Sequence, residues 1–306
     1  AWRLSLPMRG PSLDVRIVQP SERLDAAMSI EARERAFARL TELTALPPRD
    51  GAPPARLVVW PETSVPFLFS DRPEMLTSIA EALADGQMLL AGAVREEPGA
   101  AKDAATAYYN SLVAIDASGQ ITDAADKVHR VPFGEYLPFA DLFSAAGIDP
   151  VTLSPGGYSA AAARHVLSGP DGLRVLPLIC YEAIFSAEVA RDAGRADLMV
   201  NVTVDTWFGR TAGPYQHLRQ AQLRAAETGL PMLRAGNNGI SAIIDSRGRI
   251  LSALGLDAVG ALDAALPLSR TLAFNDAVRS RIPVALMIIL VAYACAMNRR
   301  TSSLKG

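Results

Sequence analysis

Apolar residues in this chain come in short runs, separated by helical patterns and by turn residues. Asp14 to Val18 reads as a strand. Ile30 to Leu43 is rich in arginine and glutamate, with Ile30, Phe37 and Leu40 on one side, and predicts a helix. Arg56 to Trp60 is an apolar run stopped by Pro61, as a buried strand would be. Leu76, Ile79, Ala80 and Leu83 fall at i, i+3, i+4 and i+7 and predict a second helix. Met88 to Val94 predicts a strand. Asn110 to Asp116 and Gln120 to Ala124 flank Ala117-Ser118-Gly119, a hairpin signal. Leu173 to Cys180 and Ala196 to Val202 predict strands, and Tyr181 to Asp192 and Pro214 to Thr228 predict helices. Ile240 to Asp245 and Arg249 to Leu254 pair across Ser246-Arg247-Gly248. The alternation implies an α/β fold with a mixed sheet or sheets. No internal repeat is visible. Gly99 to Ala105 and Ser159 to Ala163 read as surface loops.

Composition narrows the function classes. Half of the 306 residues are hydrophobic, and a mean hydropathy of +0.16 leans towards a membrane contact. The net charge is −2, with no basic block and no aromatic-basic interleaving, so nothing points to nucleic acid. Cys180 and Cys295 are too few for a disulfide framework. The three histidines are scattered, there is no zinc-type spacing, and neither a Walker loop nor a dinucleotide fingerprint appears. No metal or organic cofactor is implied. Ala1 to Pro20 lacks the apolar core of a signal peptide. Ile282 to Met297 is a run of sixteen residues without a charge, flanked by Arg281 and by Asn298, Arg299 and Arg300. It predicts a membrane helix, slightly short of the usual span, whose arginines snorkel to lengthen it; a buried core helix is the alternative.

Three residues are the right types for one reaction. Glu62 sits in the turn made by Pro61, just past a buried strand, where α/β folds place ligands. Lys127 is one of only three lysines among 30 basic residues and follows the hairpin. Cys180 ends a strand at the expected start of a helix, whose positive end would lower the thiol pKa. Each has a plain alternative: a solvated carboxylate, an exposed lysine, an inert buried thiol. A cysteine nucleophile needs a base. His129 is one candidate. The other route is a carboxylate base with a lysine to hold developing negative charge, and Glu62 and Lys127 suit it. Glu135 is a partner for Lys127 or a loop brace.

VVWPETSVPF, DKVHRVPFGEYLPF and LPLICYEAIF, in that order, resemble the Glu-Lys-Cys segments of the nitrilase (carbon–nitrogen hydrolase) superfamily. Further segments resemble, more closely, its apolipoprotein N-acyltransferase family: Phe133 to Phe139, Pro155 to Gly157, Ile179 to Glu182, Trp207 to Gly209, Gly213 to His217 and Arg234 to Ile244. The resemblance implies a nitrilase-like αββα sandwich over residues 13–270, followed by a transmembrane helix at 282–297. It implies that Glu62 is the general base, that Cys180 attacks a phospholipid ester, and that Lys127 and the Tyr181 backbone N–H hold the oxyanion. Glu135 and Glu182 are supporting groups, and Tyr181, Trp207 and Phe208 shape the site or its lipid entrance. The implied partners are a phospholipid donor, an apolipoprotein acceptor and the bacterial inner membrane, with the catalytic domain facing the periplasm. The family carries N-terminal membrane helices before this domain, so Ala1 reads as a cut point. Val204 stands before Asp205 where the family often has Asn. A small-amide or nitrile hydrolase, and a non-enzymatic domain that keeps the fold, are the competing readings.

Overall fold

A computed structural model describes residues 11–22, 28–48, 53–99, 106–136, 138, 157–269, 281 and 283–293. The chain divides into one unit over Ala1–Thr271 and a second over Leu272–Gly306. The first unit opens with β1 (Ser12–Gln19), α1 (Ile30–Ala45), β2 (Leu57–Val59), α2 (Glu74–Ala82), β3 (Met88–Glu97), β4 (Ala107–Asp116) and β5 (Ile121–Asp126). It continues with β6 (Leu167–Ser168), β7 (Arg174–Ile179), α3 (Ser186–Ala193), β8 (Leu198–Thr203) and α4 (Gly213–Thr228). It closes with β9 (Met232–Gly236), β10 (Ser241–Ile244), β11 (Ile250–Leu254) and β12 (Gly260–Pro267).

The strands form two six-stranded sheets, in the orders β12-β1-β2-β3-β4-β5 and β11-β10-β9-β8-β7-β6. Side-chain alternation along the strands decides the layers. Leu57 and Val59 point into a core shared with Val175, Ile179, Leu198, Val200 and Val202 of the other sheet. Val58 and Trp60 point outward, against Phe37 and Leu40 of α1 and Met75 and Ile79 of α2. On the far side, Leu176, Leu178 and Met199 meet Val189 of α3 and Leu218 and Ala221 of α4. The result is a four-layer αββα sandwich, the expected fold class.

The topology contains a repeat that the residues do not display. β1 to β5 pair in sequence as parallel, parallel, antiparallel and antiparallel, and β7 to β11 do the same. β12 and β6 then add antiparallel to the free edges of β1 and β7. Three expectations change. Tyr181 to Asp192 is not one helix: a 3₁₀ turn over Cys180–Ile184 is followed by α3, with a break at Phe185. Ile30 is exposed, because it opens α1 rather than lying on its buried stripe. The strands β6, β9 and β12 were not anticipated.

In the second unit, 283–293 are helical, with exposed apolar side chains including Leu286, Ile288 and Leu290. The membrane helix expected over 282–297 runs beyond the described residues. Among the described residues, no helix is long and apolar enough to cross a membrane.

One buried arginine couples a strand edge to a helix end. Arg16 on β1 pairs bidentately with Asp263 of β12, at 2.7 and 2.8 Å, and also donates to the carbonyls of Thr44, in the last turn of α1, and of Leu46, its C-cap. The last turn of α1 has no basic residue of its own, so a strand side chain supplies the cation there. Asp263→Ala leaves that guanidinium without its carboxylate and is expected to lower stability by about 3 kcal/mol. The measurement is the urea unfolding midpoint at unchanged slope; Asp263→Asn should fall in between.

Candidate active site

Glu62 leaves β2 at a turn that lies directly on β3. A Cβ at Gly92 would come within 2.1 Å of the Pro61 carbonyl oxygen, so only glycine lets the turn approach. The Glu62 carboxylate is buried. Its Oε1 accepts from Lys127 Nζ at 3.1 Å and Asn110 Nδ2 at 2.8 Å, and its Oε2 accepts from the Val204 backbone N–H at 3.0 Å. Lys127, expected on local sequence to be exposed, is 1% exposed, just past β5. Its ammonium also donates to Glu135 Oε1 at 2.8 Å, and Asn110 Nδ2 donates to the same oxygen at 3.0 Å. Lys127 is thus held between two carboxylates, with the Tyr181 ring centroid 5.7 Å from Nζ. Burial weakens its hold on its proton, but Glu62, Cys180 and Glu135 more than restore it, and the ammonium stays charged above the ordinary lysine range.

Cys180 stands at the end of β7, partly exposed, with φ at +55°. A left-handed backbone is uncommon for a side-chain-bearing residue and marks a constrained turn. Thr203 Oγ1 lies 3.6 Å from Sγ, and the next residue, Val204, is the one bonded to Glu62. The thiol therefore shares one corner with the carboxylate and the lysine. Its pKa moves opposite to the sequence expectation. Burial, then Glu62, push it up to about 12, against the pull of Lys127 and the Thr203 hydroxyl. The five-residue 3₁₀ turn that begins at Cys180 is too short to offset them.

Glu182 staples the two sides. Its Oε1 accepts from the Val128 and His129 N–H groups at 2.8 and 3.0 Å, and its Oε2 from the Ile179 N–H at 2.8 Å. Arg164 lies 3.4 Å from it and also pairs with Asp192. One carboxylate thereby fixes the backbone beside Lys127 to the backbone beside Cys180. Glu135 braces its own loop through the Val131 N–H at 2.9 Å. Tyr181 donates its hydroxyl to the Arg130 carbonyl at 2.6 Å. His129 is directed elsewhere: it pairs with Glu188 at 2.6 Å and stacks on Phe185. Trp207 and Phe208, on a 3₁₀ turn after β8, are 67% and 40% exposed, and Phe208 meets the His217 ring edge-on.

Sequence reasoning missed Asn110, Arg164, Asn201, Thr203, Asp205, His217 and Arg234 as members of this cluster. A signal was present: Asn110, Asn201 and Arg234 are polar residues inside strands that also carry core residues. Among the described residues no group of histidine, cysteine and carboxylates is arranged to hold a metal.

Comparison with known proteins bears on the family and the fold. The family model described as carbon-nitrogen hydrolase matches residues 15–275. Two relatives are named apolipoprotein N-acyltransferase. The one from Rhizobium meliloti (strain 1021) is 50% identical over 287 residues, covering 92% of this chain and 54% of the relative. The one from Brucella melitensis biotype 1 is 50% identical over 277 residues, covering 88% and 51%. The chain thus spans about half the length of the curated relatives it matches. Among solved structures, a carbon-nitrogen hydrolase from Helicobacter pylori superposes with a TM-score of 0.60 at 15% identity, covering 84% of this chain and 89% of that one. An amidase of the nitrilase superfamily from Nesterenkonia gives 0.55 at 20% identity, covering 86% and 93%. Those structures share the fold; the match over residues 15–275 places this chain in the carbon-nitrogen hydrolase family.

Proposed function

We propose that this chain is the catalytic part of an acyltransferase that moves an acyl chain from a phospholipid, through a thioester on Cys180, to the N-terminal α-amine of an apolipoprotein. The observation that carries the reading is the thiol at a left-handed turn, cornered with a buried Glu62–Lys127 pair. The relatives' name supplies the acyl acceptor class. The exposed apolar residues of 283–293 suit work on lipids at a bacterial membrane. The proposal includes a catalytic domain on the periplasmic side.

The charges set the order of events. Lys127 is balanced by two carboxylates, so the resting site carries excess negative charge beside Cys180 and the thiol keeps its proton. Sγ attacks the ester carbonyl as its proton passes to Glu62. Protonation of Glu62 removes one anion from Lys127, which then serves the oxyanion together with the Tyr181 backbone N–H. Collapse breaks the ester C–O bond, and Glu62 returns the proton to the departing lysophospholipid oxygen. In the second half the α-amine attacks the thioester and Glu62 takes a proton from the amine; the C–S bond then breaks and Glu62 passes that proton to Sγ, which restores the Cys180 thiol and the Glu62 carboxylate. Glu135 keeps Lys127 in place throughout, and Trp207 and Phe208 line the lipid approach.

Intact mass in detergent with mixed phospholipids tests this reading. An acyl-sized gain that hydroxylamine removes is expected in the wild type, absent in Cys180→Ala and slowed about a thousandfold in Glu62→Gln. Lack of any adduct alongside turnover of small amides would replace the acyltransferase with a hydrolase. The thiol offers a second check. With its pKa near 12, the thiolate fraction grows about tenfold per pH unit, so iodoacetamide should alkylate Cys180 at a rate still climbing at about pH 10. Because Glu62 raises the thiol pKa and Lys127 lowers it, Glu62→Gln should speed alkylation and Lys127→Met should slow it. A plateau near neutral pH would contradict the resting thiol.

A further inference from the structure

Around the Cys180 carbonyl lies a buried charged cluster that the steps above do not use. Asp205, His217 and Arg234 are each at most 5% exposed. The Cys180 carbonyl oxygen accepts from Asn201 Nδ2 at 3.1 Å and faces His217 Nε2 at 3.2 Å. His217 Nδ1 faces Asp205 Oδ1 at 2.8 Å. Asp205 also accepts from Thr203 Oγ1 at 3.0 Å and from Arg234 Nη2 at 2.9 Å. Arg234 reaches Asn201 through its other terminal nitrogen, which closes the ring of contacts.

Donor counting fixes the proton on each atom. A peptide carbonyl only accepts, so Nε2 carries a hydrogen. An ionised carboxylate only accepts, so Nδ1 carries one as well. Burial pushes Asp205 towards its neutral form, yet the His217 bond and Arg234 outweigh it and hold the carboxyl below its usual range. Both ring nitrogens of His217 thus face acceptors. Gly239 seals the other side: a Cβ there would come within 2.2 Å of Asp205 Oδ2.

We infer that His217, charged and oriented by Asp205, is a positioning residue that clamps the Cys180 carbonyl and so holds the left-handed turn that aims Sγ. The inference rests on Cys180 being the nucleophile. A left-handed cysteine relaxes unless its surroundings over-determine it. The Cys180 carbonyl has two donors, from a strand and a helix, and Glu182 pins the preceding Ile179 N–H. Losing the charge-assisted bond to that carbonyl leaves the acyl donor's binding intact and misplaces the sulfur.

Two substitutions separate clamping from mere neutralisation of Asp205. A glutamine amide nitrogen reaches the place of Nε2 and keeps the bond to Cys180; an asparagine amide nitrogen takes the place of Nδ1 and keeps the bond to Asp205. The rate constant for Cys180 acylation, read by intact mass, is expected to be roughly tenfold lower in His217→Asn than in His217→Gln, with the donor concentration at half-saturation unchanged. A purely structural role predicts the reverse order. Nitrogen-15 spectra of labelled histidine, assigned by the signal lost in His217→Gln, should show both ring nitrogens of His217 protonated at neutral pH. Asparagine performing as well as glutamine, or a singly protonated ring, overturns the clamp. A wild type that takes no acyl group sinks the acyl-transfer reading instead, and the ring charge alone then decides the clamp.

Discussion

A buried ammonium cannot stand without counter-charge, and most of this site follows from that constraint. Lys127 is all but excluded from solvent between two sheets whose facing surfaces are otherwise apolar. Removing such an ion from water costs several kcal/mol unless anions and hydrogen bonds accompany it. Glu62 and Glu135 accompany it, and they would repel each other without the lysine. Asn110 lies between them and donates its amide nitrogen to both carboxylates. Because Glu62 is bonded onward to the Val204 N–H of the opposite sheet, the ion cluster also links the layers. Four polar side chains thus form one unit in which no member is stable alone.

The same unit explains why a thiol with a raised pKa serves better here than a free thiolate. Two carboxylates against one ammonium leave the corner negative, and a standing thiolate would add to the repulsion. In the proposed mechanism the proton leaves only when Glu62 receives it, and at that moment Lys127 has one anion fewer to balance. Negative charge can then develop on a substrate oxygen without raising the total. Nucleophile, base and electrostatic support are in this sense one charge-neutral exchange. A helix dipole could not have supplied it, since the turn at Cys180 is a short 3₁₀ segment.

Much of the fold was legible because periodicity survives wherever one face of an element meets solvent or a different layer. The stripe of α1, the strand that ends in Pro61 and the hairpins around Gly119 and Gly248 show this. β9 escaped because all five of its residues are buried, so MLRAG has no alternation to read. The helix expected from Tyr181 is divided at Phe185, whose backbone, with ψ at 74°, leaves the helical region. Glu62, Lys127, Glu135 and Cys180 were visible as chemical types at strand ends. Asp205, His217 and Arg234 were not, because their meaning lies in contacts across 12 to 37 residues that no local pattern encodes. His129, nearer in sequence to Lys127, is the histidine that local reading favours, yet its ring is occupied by Glu188 and Phe185.

The topological repeat gives the division of labour a physical cause. Glu62 and Lys127 leave the ends of β2 and β5 in one sheet, whereas Cys180, Thr203 and Val204 lie at the ends of β7 and β8 in the other. Neither sheet holds a competent set. In the assembled corner burial and Glu62 push the thiol up to about 12, so it keeps its proton at neutral pH until a base takes it. In the proposed mechanism Glu62 becomes its base only where the Val204 amide and the Glu182 staple hold the two sheet ends together. On that mechanism cysteine reactivity is a property of the closed sandwich, and packing faults between the sheets act on chemistry as directly as changes to the three residues themselves.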